Sequence, residues 1–119
     1  MSLRDRAPVR REALFGGEGA VVVWDLLGRA SAEPFTAVLW CALEPGGRVG
    51  PHVQEHFPEI VVGLDGDGEA TVGGAVHPLM PGDVVYLPLG AVLSITNRSR
   101  DEPLSYLIVK ARPGRSSSP

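Results

Sequence analysis

Two of the three histidines of this 119-residue chain lie close together in sequence, with two carboxylates beside them. The histidines are His52 and His56, the acids are Glu55 and Glu59, and all four lie in the segment 46–68, which begins and ends in glycine-rich turns. Imidazole and carboxylate groups bind first-row transition metals and transfer protons near neutral pH. No other stretch of the sequence gathers these groups so densely, so we expect any such chemistry to be centred here.

The spacing of these residues predicts how they could meet. His52 and Gln54 are two positions apart, and side chains at positions i and i+2 of a strand point to the same face. Pro58 then interrupts the strand, because proline lacks an N–H and restricts the residue before it. If the strand that begins at Glu59 pairs with the strand of His52, three polar side chains converge on one apolar interior. Buried polar side chains need hydrogen-bond partners. Either a bound ligand or hydrogen bonds among the three side chains would supply those partners.

The elements that must position these residues are predicted to be strands. Apolar, β-branched runs recur at short intervals, and 15 glycines and 11 prolines are spread between them as turn residues. This pattern predicts eight to ten strands without a helix, hence an all-β sandwich or barrel. Within one of these strands, Leu93 and Ile95 share a face by the two-residue period.

Two spaced motifs resemble those of the cupins. The first cupin motif is glycine, five residues, His-x-His, three or four residues, Glu, six residues, Gly. With the same spacing the chain has Gly46, His52, Gln54, Glu59 and Gly66. The family's second histidine is thus replaced by Gln54.

The second cupin motif is glycine, five residues, Pro-x-Gly, two residues, His, three residues, Asn. With that spacing the chain has Gly82, Pro88, Gly90, Leu93 and Asn97, so a leucine replaces the histidine. The resemblance spans roughly residues 35–110. It implies a small single-domain cupin of the type-2 conserved-barrel kind, whose fold is an all-β jelly roll, the double-stranded β-helix.

The resemblance also implies where a metal would bind. A typical metal-binding cupin holds its ion with three histidines and a glutamate, and the matching positions here are His52, Gln54, Glu59 and Leu93. Gln54 offers a carbonyl oxygen, a weaker donor to transition metals than imidazole, and Leu93 offers none, so the site is degenerate. His56 could complete a two-histidine, one-carboxylate set from the loop, a set that suits ferrous iron.

Several functions are compatible with these residues. In the first, the barrel binds a small molecule without a metal, in a pocket formed by His52, Gln54, Glu59, Leu93 and Ile95. In the alternative, a metal-dependent oxygenase, isomerase or lyase holds iron, manganese, nickel or zinc with His52, Glu59 and either His56 or Gln54. A metal-free acid–base pair of His52 and Glu59 is a third possibility. The pocket could also be a structural relic without a ligand.

Composition excludes other classes of protein. The net charge of −3 argues against a nucleic-acid partner. The single cysteine, Cys41, forms no internal disulfide and lies in an apolar run, which predicts a buried thiol. The charged segment 1–6 lacks the apolar core of a secretory signal, and no apolar run is long enough to span a bilayer. We therefore expect a cytoplasmic protein without a membrane partner.

The chain is predicted to divide into a flexible N-terminal arm (1–12), a barrel (13–111) and a disordered tail (112–119). The arm could end in a short edge strand. The two apolar runs 20–27 and 35–43 do not alternate cleanly between apolar and polar residues, so each is expected to be covered on both faces. This favours a homodimer in which the N-terminal strands pack against a second copy.

Overall fold

The computed structural model describes residues 7–113, and their regular structure is almost entirely β-strand. The ten strands are β1 (Val9–Glu12), β2 (Ala20–Asp25), β3 (Phe35–Leu43), β4 (Arg48–Val53), β5 (Glu59–Asp65), β6 (Gly68–Val72), β7 (Ala75–Leu79), β8 (Val84–Leu87), β9 (Val92–Asn97) and β10 (Leu104–Ala111). One short 3₁₀ segment, Leu14–Gly16, lies between β1 and β2. The predicted all-β class is therefore confirmed.

The strands form two antiparallel sheets in the jelly-roll arrangement that the sequence predicts. The six-stranded sheet has the order β1-β2-β3-β10-β5-β8, and the four-stranded sheet has the order β4-β9-β6-β7. Buried side chains of both sheets form a single hydrophobic core. Leu93 and Ile95 are each 1% exposed in this core, so they do share an inward face. The tight turn at Gly73 and Gly74, both with positive φ, joins the paired strands β6 and β7.

The strands of His52 and Glu59 do not pair with each other, contrary to the arrangement considered from the sequence. β4 pairs with β9 in the four-stranded sheet, whereas β5 lies between β10 and β8 in the six-stranded sheet. β4 ends at Val53, and the connection 54–58, whose last residue is Pro58, carries the chain from one sheet to the other. His52 and Glu59 therefore face the same interior from opposite walls.

The outer face of the six-stranded sheet is apolar over most of its width. In register across five strands it presents one row of apolar side chains: Trp24, Trp40, Leu107, Val62 and Val84. A second row in register consists of Val38, Val109, Ile60 and Tyr86. Val84 and Tyr86 are each 62% exposed at one edge of this face.

The outer face of the four-stranded sheet has the opposite character. Its cross-strand neighbours are polar: Glu69 lies opposite Thr96, and Thr71 lies opposite Ser94. An antiparallel sheet with one face in water normally shows this alternation of apolar inward and polar outward residues. The six-stranded sheet departs from it, and its outer face therefore has the composition of a surface that is covered.

The N-terminal region adds an edge strand to one sheet and a short 3₁₀ segment that packs on the other. The predicted arm ends in the edge strand β1, which pairs with β2, whereas residues 1–6 of the arm and 114–119 of the predicted tail lie outside the described residues. The 3₁₀ segment lies directly on β4: a Cβ at Gly50 would overlap the carbonyl oxygen of Phe15, and one at Gly17 would overlap that of Arg48. Among residues 7–113, no helix has the length and apolarity needed to cross a membrane.

Candidate functional site

Two adjoining pockets open from the inside of the barrel to one of its ends. The interior cavity has a volume of about 490 Å³ and is lined by apolar side chains of both sheets, including Leu39, Leu93 and Ile108. The second, outer pocket is called the mouth pocket here; its lining includes Gln54, Glu55 and Phe57, and its volume is about 630 Å³. His52 and Lys110 line both pockets and so mark the place where they meet. A cavity of this size, apolar with a few polar groups, is typical of small-molecule sites.

Glu59, the first residue of β5, is the acid at the wall of the interior cavity. Its side chain is 1% exposed, and the Lys110 ammonium lies 3.8 Å from its Oε2 atom. Oε2 is buried without a hydrogen-bond partner. Burial raises the pKa of Glu59, and the Lys110 charge with the Gln54 amide partly opposes this effect. The ion pair with Lys110 and the amide of Gln54 therefore compensate this buried carboxyl in part.

Lys110 is a site residue that the motif-based reasoning missed. It is the only lysine of the sequence, lies opposite Glu59 in register, and is 35% exposed. The sequence carried a signal for it: Tyr106, Ile108 and Lys110 follow the two-residue period of one apolar strand and so share its inward face. Tyr106 and Ile108 do line the interior cavity, as Lys110 does.

His52 faces the junction of the two pockets with a fixed ring orientation. Its Nδ1 atom lies 3.2 Å from the carbonyl oxygen of Gly50. A carbonyl oxygen only accepts, so Nδ1 carries the proton and Nε2 is left as an acceptor. Burial lowers the pKa of His52, and the nearby Lys110 charge adds to this effect, while the Gly50 carbonyl opposes it. His52 is therefore a neutral acceptor near pH 7.

The Phe15 ring covers the exposed side of His52. The two rings are stacked, with centroids 4.1 Å apart and an angle of 15° between their planes. Phe15 has a positive φ of 54°, which is rare for a residue that is not glycine. Its place beside His52 depends on how the 3₁₀ segment folds back onto β4, and nothing in the sequence spacing pointed to this contact.

The remaining predicted site residues occupy different positions around the pockets. Gln54 is 5% exposed and lines the mouth, and Leu93 and Ile95 line the interior, where Leu93 lies opposite His52 in register. His56 also lines the mouth, but its side chain is 81% exposed and its Nε2 atom lies 3.9 Å from Glu55 Oε2. The structure thus brings His52, Glu59, Leu93 and Ile95 to one cavity and places His56 on its outer lip.

The donor set does not fit the metal site implied by the cupin resemblance. In residues 7–113, no three side chains of His, Cys, Asp or Glu converge closely enough to hold an ion. Leu93 occupies the place of one imidazole, and the Lys110 ammonium is already the cation nearest to Glu59. Cys41 lines the cavity, but burial raises its pKa to about 12, so its thiol stays protonated. The site can therefore bind and orient a polar group, with Lys110 as donor and His52 as acceptor.

Comparison with known proteins places the chain in a family. The family described as "Cupin domain" matches residues 39–110. The chain belongs to the cupin family. No curated protein matches the sequence of this cupin.

The fold of this cupin is shared with solved structures. A Thermotoga maritima protein described as a predicted oxalate decarboxylase is 29% identical with a TM-score of 0.86, and the match covers 94% of this chain and 97% of that one. A cupin-2 domain protein from Rhodospirillum rubrum is 21% identical with a TM-score of 0.77, covering 100% and 78%. A sugar phosphate isomerase from Silicibacter pomeroyi is 23% identical with a TM-score of 0.73, covering 95% and 75%. The latter two, below 25% identity, support the fold alone.

The raised pKa of Glu59 predicts a pH-dependent stability. The folded protein keeps the Glu59 proton to a higher pH than the unfolded chain, whose carboxyl titrates near the ordinary value of 4.5. The free energy of unfolding should therefore lose a contribution as pH rises from about 4.5 through the raised pKa. Glu59→Gln removes this contribution, so the stability of the native protein relative to the variant should fall over that range. Urea denaturation of both proteins between pH 4 and 8 measures the difference, and a difference that rises with pH would contradict the assignment.

Proposed function

We propose that this cupin binds a small, largely apolar molecule in the interior cavity without a metal ion. The polar anchors are His52, Gln54 and Glu59, joined by Lys110. The observation that carries the proposal is an apolar cavity of about 490 Å³ whose lining includes the ion pair of the buried Glu59 carboxyl and the Lys110 ammonium. A ligand with a polar group beside this pair and an apolar body in the cavity would suit both parts of the site.

The metal content of the protein tests the metal-free part of the proposal. Untagged protein, purified without chelators and then incubated with iron, manganese, nickel or zinc, should hold far less than one ion per chain. Glu59→Ala is the matched comparison, because it removes the one carboxylate of the cavity wall that the cupin motif assigns to a metal. About one transition metal per chain, lost in the variant, would overturn the proposal in favour of a metal-dependent enzyme.

Binding of a neutral probe tests the cavity itself. Cyclohexanecarboxamide has a size and polarity that suit the cavity, and titration calorimetry should detect its binding to the native protein. Ile108→Phe fills part of the cavity and should abolish binding, whereas Thr71→Phe, on the polar outer face of the four-stranded sheet, should not. Equal binding by both variants would place the ligand elsewhere, and no binding to the native protein would count against a cavity for such molecules.

One observation favours the alternative of a metal-dependent cupin enzyme of oxygenase, isomerase or lyase type. The hydrogen bond from His52 Nδ1 to the carbonyl oxygen of Gly50 leaves Nε2 free, which is how metal-binding histidines are commonly oriented. The similar Thermotoga maritima protein, described as a predicted oxalate decarboxylase, is named for a lyase-type reaction. In this alternative His52 and Glu59, with Gln54 or His56, would hold iron, manganese, nickel or zinc, and the metal analysis separates the two functions.

We also propose that the protein is a homodimer joined through the outer face of the six-stranded sheet. Six strands about 4.8 Å apart and about 20 Å long offer roughly 600 Å² per copy, so two copies would bury about 1,200 Å², enough for a stable interface. The two apolar rows of this face carry no charged side chain, so a second copy, with the same rows, is the complementary partner. The cytoplasmic location and the absence of nucleic-acid and membrane partners stay predictions.

A further inference from the structure

The imidazole of His52 has one nitrogen that lacks a partner and that a ligand can reach. Its Nδ1 atom is bonded to the carbonyl oxygen of Gly50, whereas its Nε2 atom makes no hydrogen bond within residues 7–113. The fully buried, unpartnered side-chain atoms of that part of the chain are Thr36 Oγ1 and Glu59 Oε2. Nε2 is not one of them, so it keeps accessible surface on a residue that lines both pockets.

The ring of Phe15 limits the direction from which a ligand can approach this nitrogen. The Phe15 and His52 rings are stacked, with an angle of 15° between their planes, so Phe15 covers a face of the imidazole and not its edge. The lone pair of a neutral ring nitrogen lies in the plane of the ring and accepts a hydrogen bond there. The bond from Nδ1 to Gly50 fixes that plane, and a donor must therefore approach the His52 edge within it.

The charges around the two pockets favour an uncharged ligand. Among the described residues that line the interior cavity, the charged side chains are two acids and two bases: Asp25, Glu59, Arg11 and Lys110. Lys110 is already paired with Glu59, and the mouth pocket adds the acid Glu55, so the lining has no excess of positive charge for an anion. A cationic donor is no better placed, because the Lys110 charge acts on His52 and would repel it.

We infer that Nε2 of His52 accepts a hydrogen bond from an uncharged O–H or N–H group of the ligand, which makes His52 a specificity-determining residue of the site. This inference rests on the proposed function and specifies its ligand: an alcohol or a primary amide whose apolar body fills the interior cavity. A ketone of the same shape only accepts hydrogen bonds, so it would leave Nε2 unpaired. The net effect of one such hydrogen bond corresponds to about a fivefold difference in affinity.

Three probes with the same cyclohexyl body test the inference. 1-Cyclohexylethanol offers an O–H group and cyclohexanecarboxamide an N–H group, whereas cyclohexyl methyl ketone has nearly the same shape without a donor. Calorimetry gives the dissociation constant of each, and at least one donor should bind the native protein about fivefold or more tightly than the ketone. His52→Phe keeps an aromatic ring beside Phe15 but removes the acceptor, so it should bring this ratio to about one.

A matched variant and a spectroscopic measurement complete the test. His77→Phe makes the same replacement at an exposed residue of β7 that lines neither pocket, and it should leave the ratio unchanged. In the native protein, saturation with the preferred donor should move the ¹⁵N resonance of His52 Nε2 upfield, as hydrogen bonding to an unprotonated ring nitrogen does, whereas the ketone should not. This measurement decides the matter without a variant if His52→Phe fails to fold.

The outcomes distinguish the inference from the proposed function. Equal affinity for the three probes in the native protein, or a preference for a donor that persists in His52→Phe, would overturn the inference and leave the proposed cavity intact. An Nε2 resonance that does not move on saturation with a donor would overturn the inference as well. Failure of all three probes to bind would overturn the proposed function and the inference together. A preference that is lost in His52→Phe but kept in His77→Phe would support both.

Discussion

Replacing Gln54 and Leu93 together by histidine is expected to give this cupin about one transition metal ion per chain, with four ligands of the kind that zinc and iron prefer. Leu93 lies opposite His52 in register, so an imidazole at this position would face the ligand that is already present. Gln54 lines the mouth beside His52, and Glu59 provides the carboxylate. Elemental analysis after incubation with zinc or iron and removal of unbound metal gives the measurement.

The controls for this gain of metal binding follow from the same geometry. Leu93→His alone should bind metal more weakly than the double variant, because Gln54 supplies only an amide oxygen. Adding Glu59→Ala to the double variant should remove most of the bound metal, whereas His56→Ala should not, because that side chain is 81% exposed on the lip of the mouth. If the double variant takes up no more metal than the native protein, the two missing imidazoles are not the only obstacle to metal binding. The Lys110 ammonium beside Glu59 would then be the first group to replace.

The second large effect is expected at the outer face of the six-stranded sheet. Leu107 lies in the middle of one apolar row, between Trp40 and Val62. Leu107→Glu would bury a carboxylate without a partner in the proposed dimer, so it should raise the dissociation constant of the dimer at least about 100-fold. Light scattering at micromolar concentration should then report the mass of one chain instead of two.

A matched control for the dimer is available on the other sheet. Thr71→Glu introduces the same charge within a strand, but on the polar outer face of the four-stranded sheet, opposite Ser94. It should leave the mass unchanged. A native protein that is already monomeric at micromolar concentration would contradict the proposed dimer. A dimer that Thr71→Glu disrupts would show that the interface lies on the four-stranded sheet instead.

The fold was predictable from the sequence because its signals are local. The two-residue period placed Leu93 and Ile95 on one inward face, and glycines act as turn residues, as at Gly73 and Gly74 between β6 and β7. The sheet that each strand joins is a long-range property, however. The sequence around Pro58 predicted an interruption between two strands, but not that β5 would join the opposite sheet, because short strands are compatible with several pairings.

The candidate site was predictable only where the cupin spacing carries it. His52, Glu59 and Leu93 lie at motif positions, and they do meet at the interior cavity. Lys110 and Phe15 lie outside the motifs and reach the site through the register of β10 and the fold of the 3₁₀ segment. Contacts of this kind depend on how distant strands align, which no local pattern of residue types determines.

The backbone contact between the 3₁₀ segment and β4 has a consequence for mutational scanning of this protein. Gly17 and Gly50 have no room for a side chain, since any Cβ there would strike a carbonyl oxygen of the opposite segment. Both positions should therefore rank among the least tolerant in a selection for abundance alone, although neither glycine contributes a side chain to the ligand. Phe15, which is 52% exposed, should tolerate many replacements in that same selection and become sensitive only when binding is selected. Comparing the two selections would separate the residues that the fold needs around the pocket opening from those that affect only ligand binding.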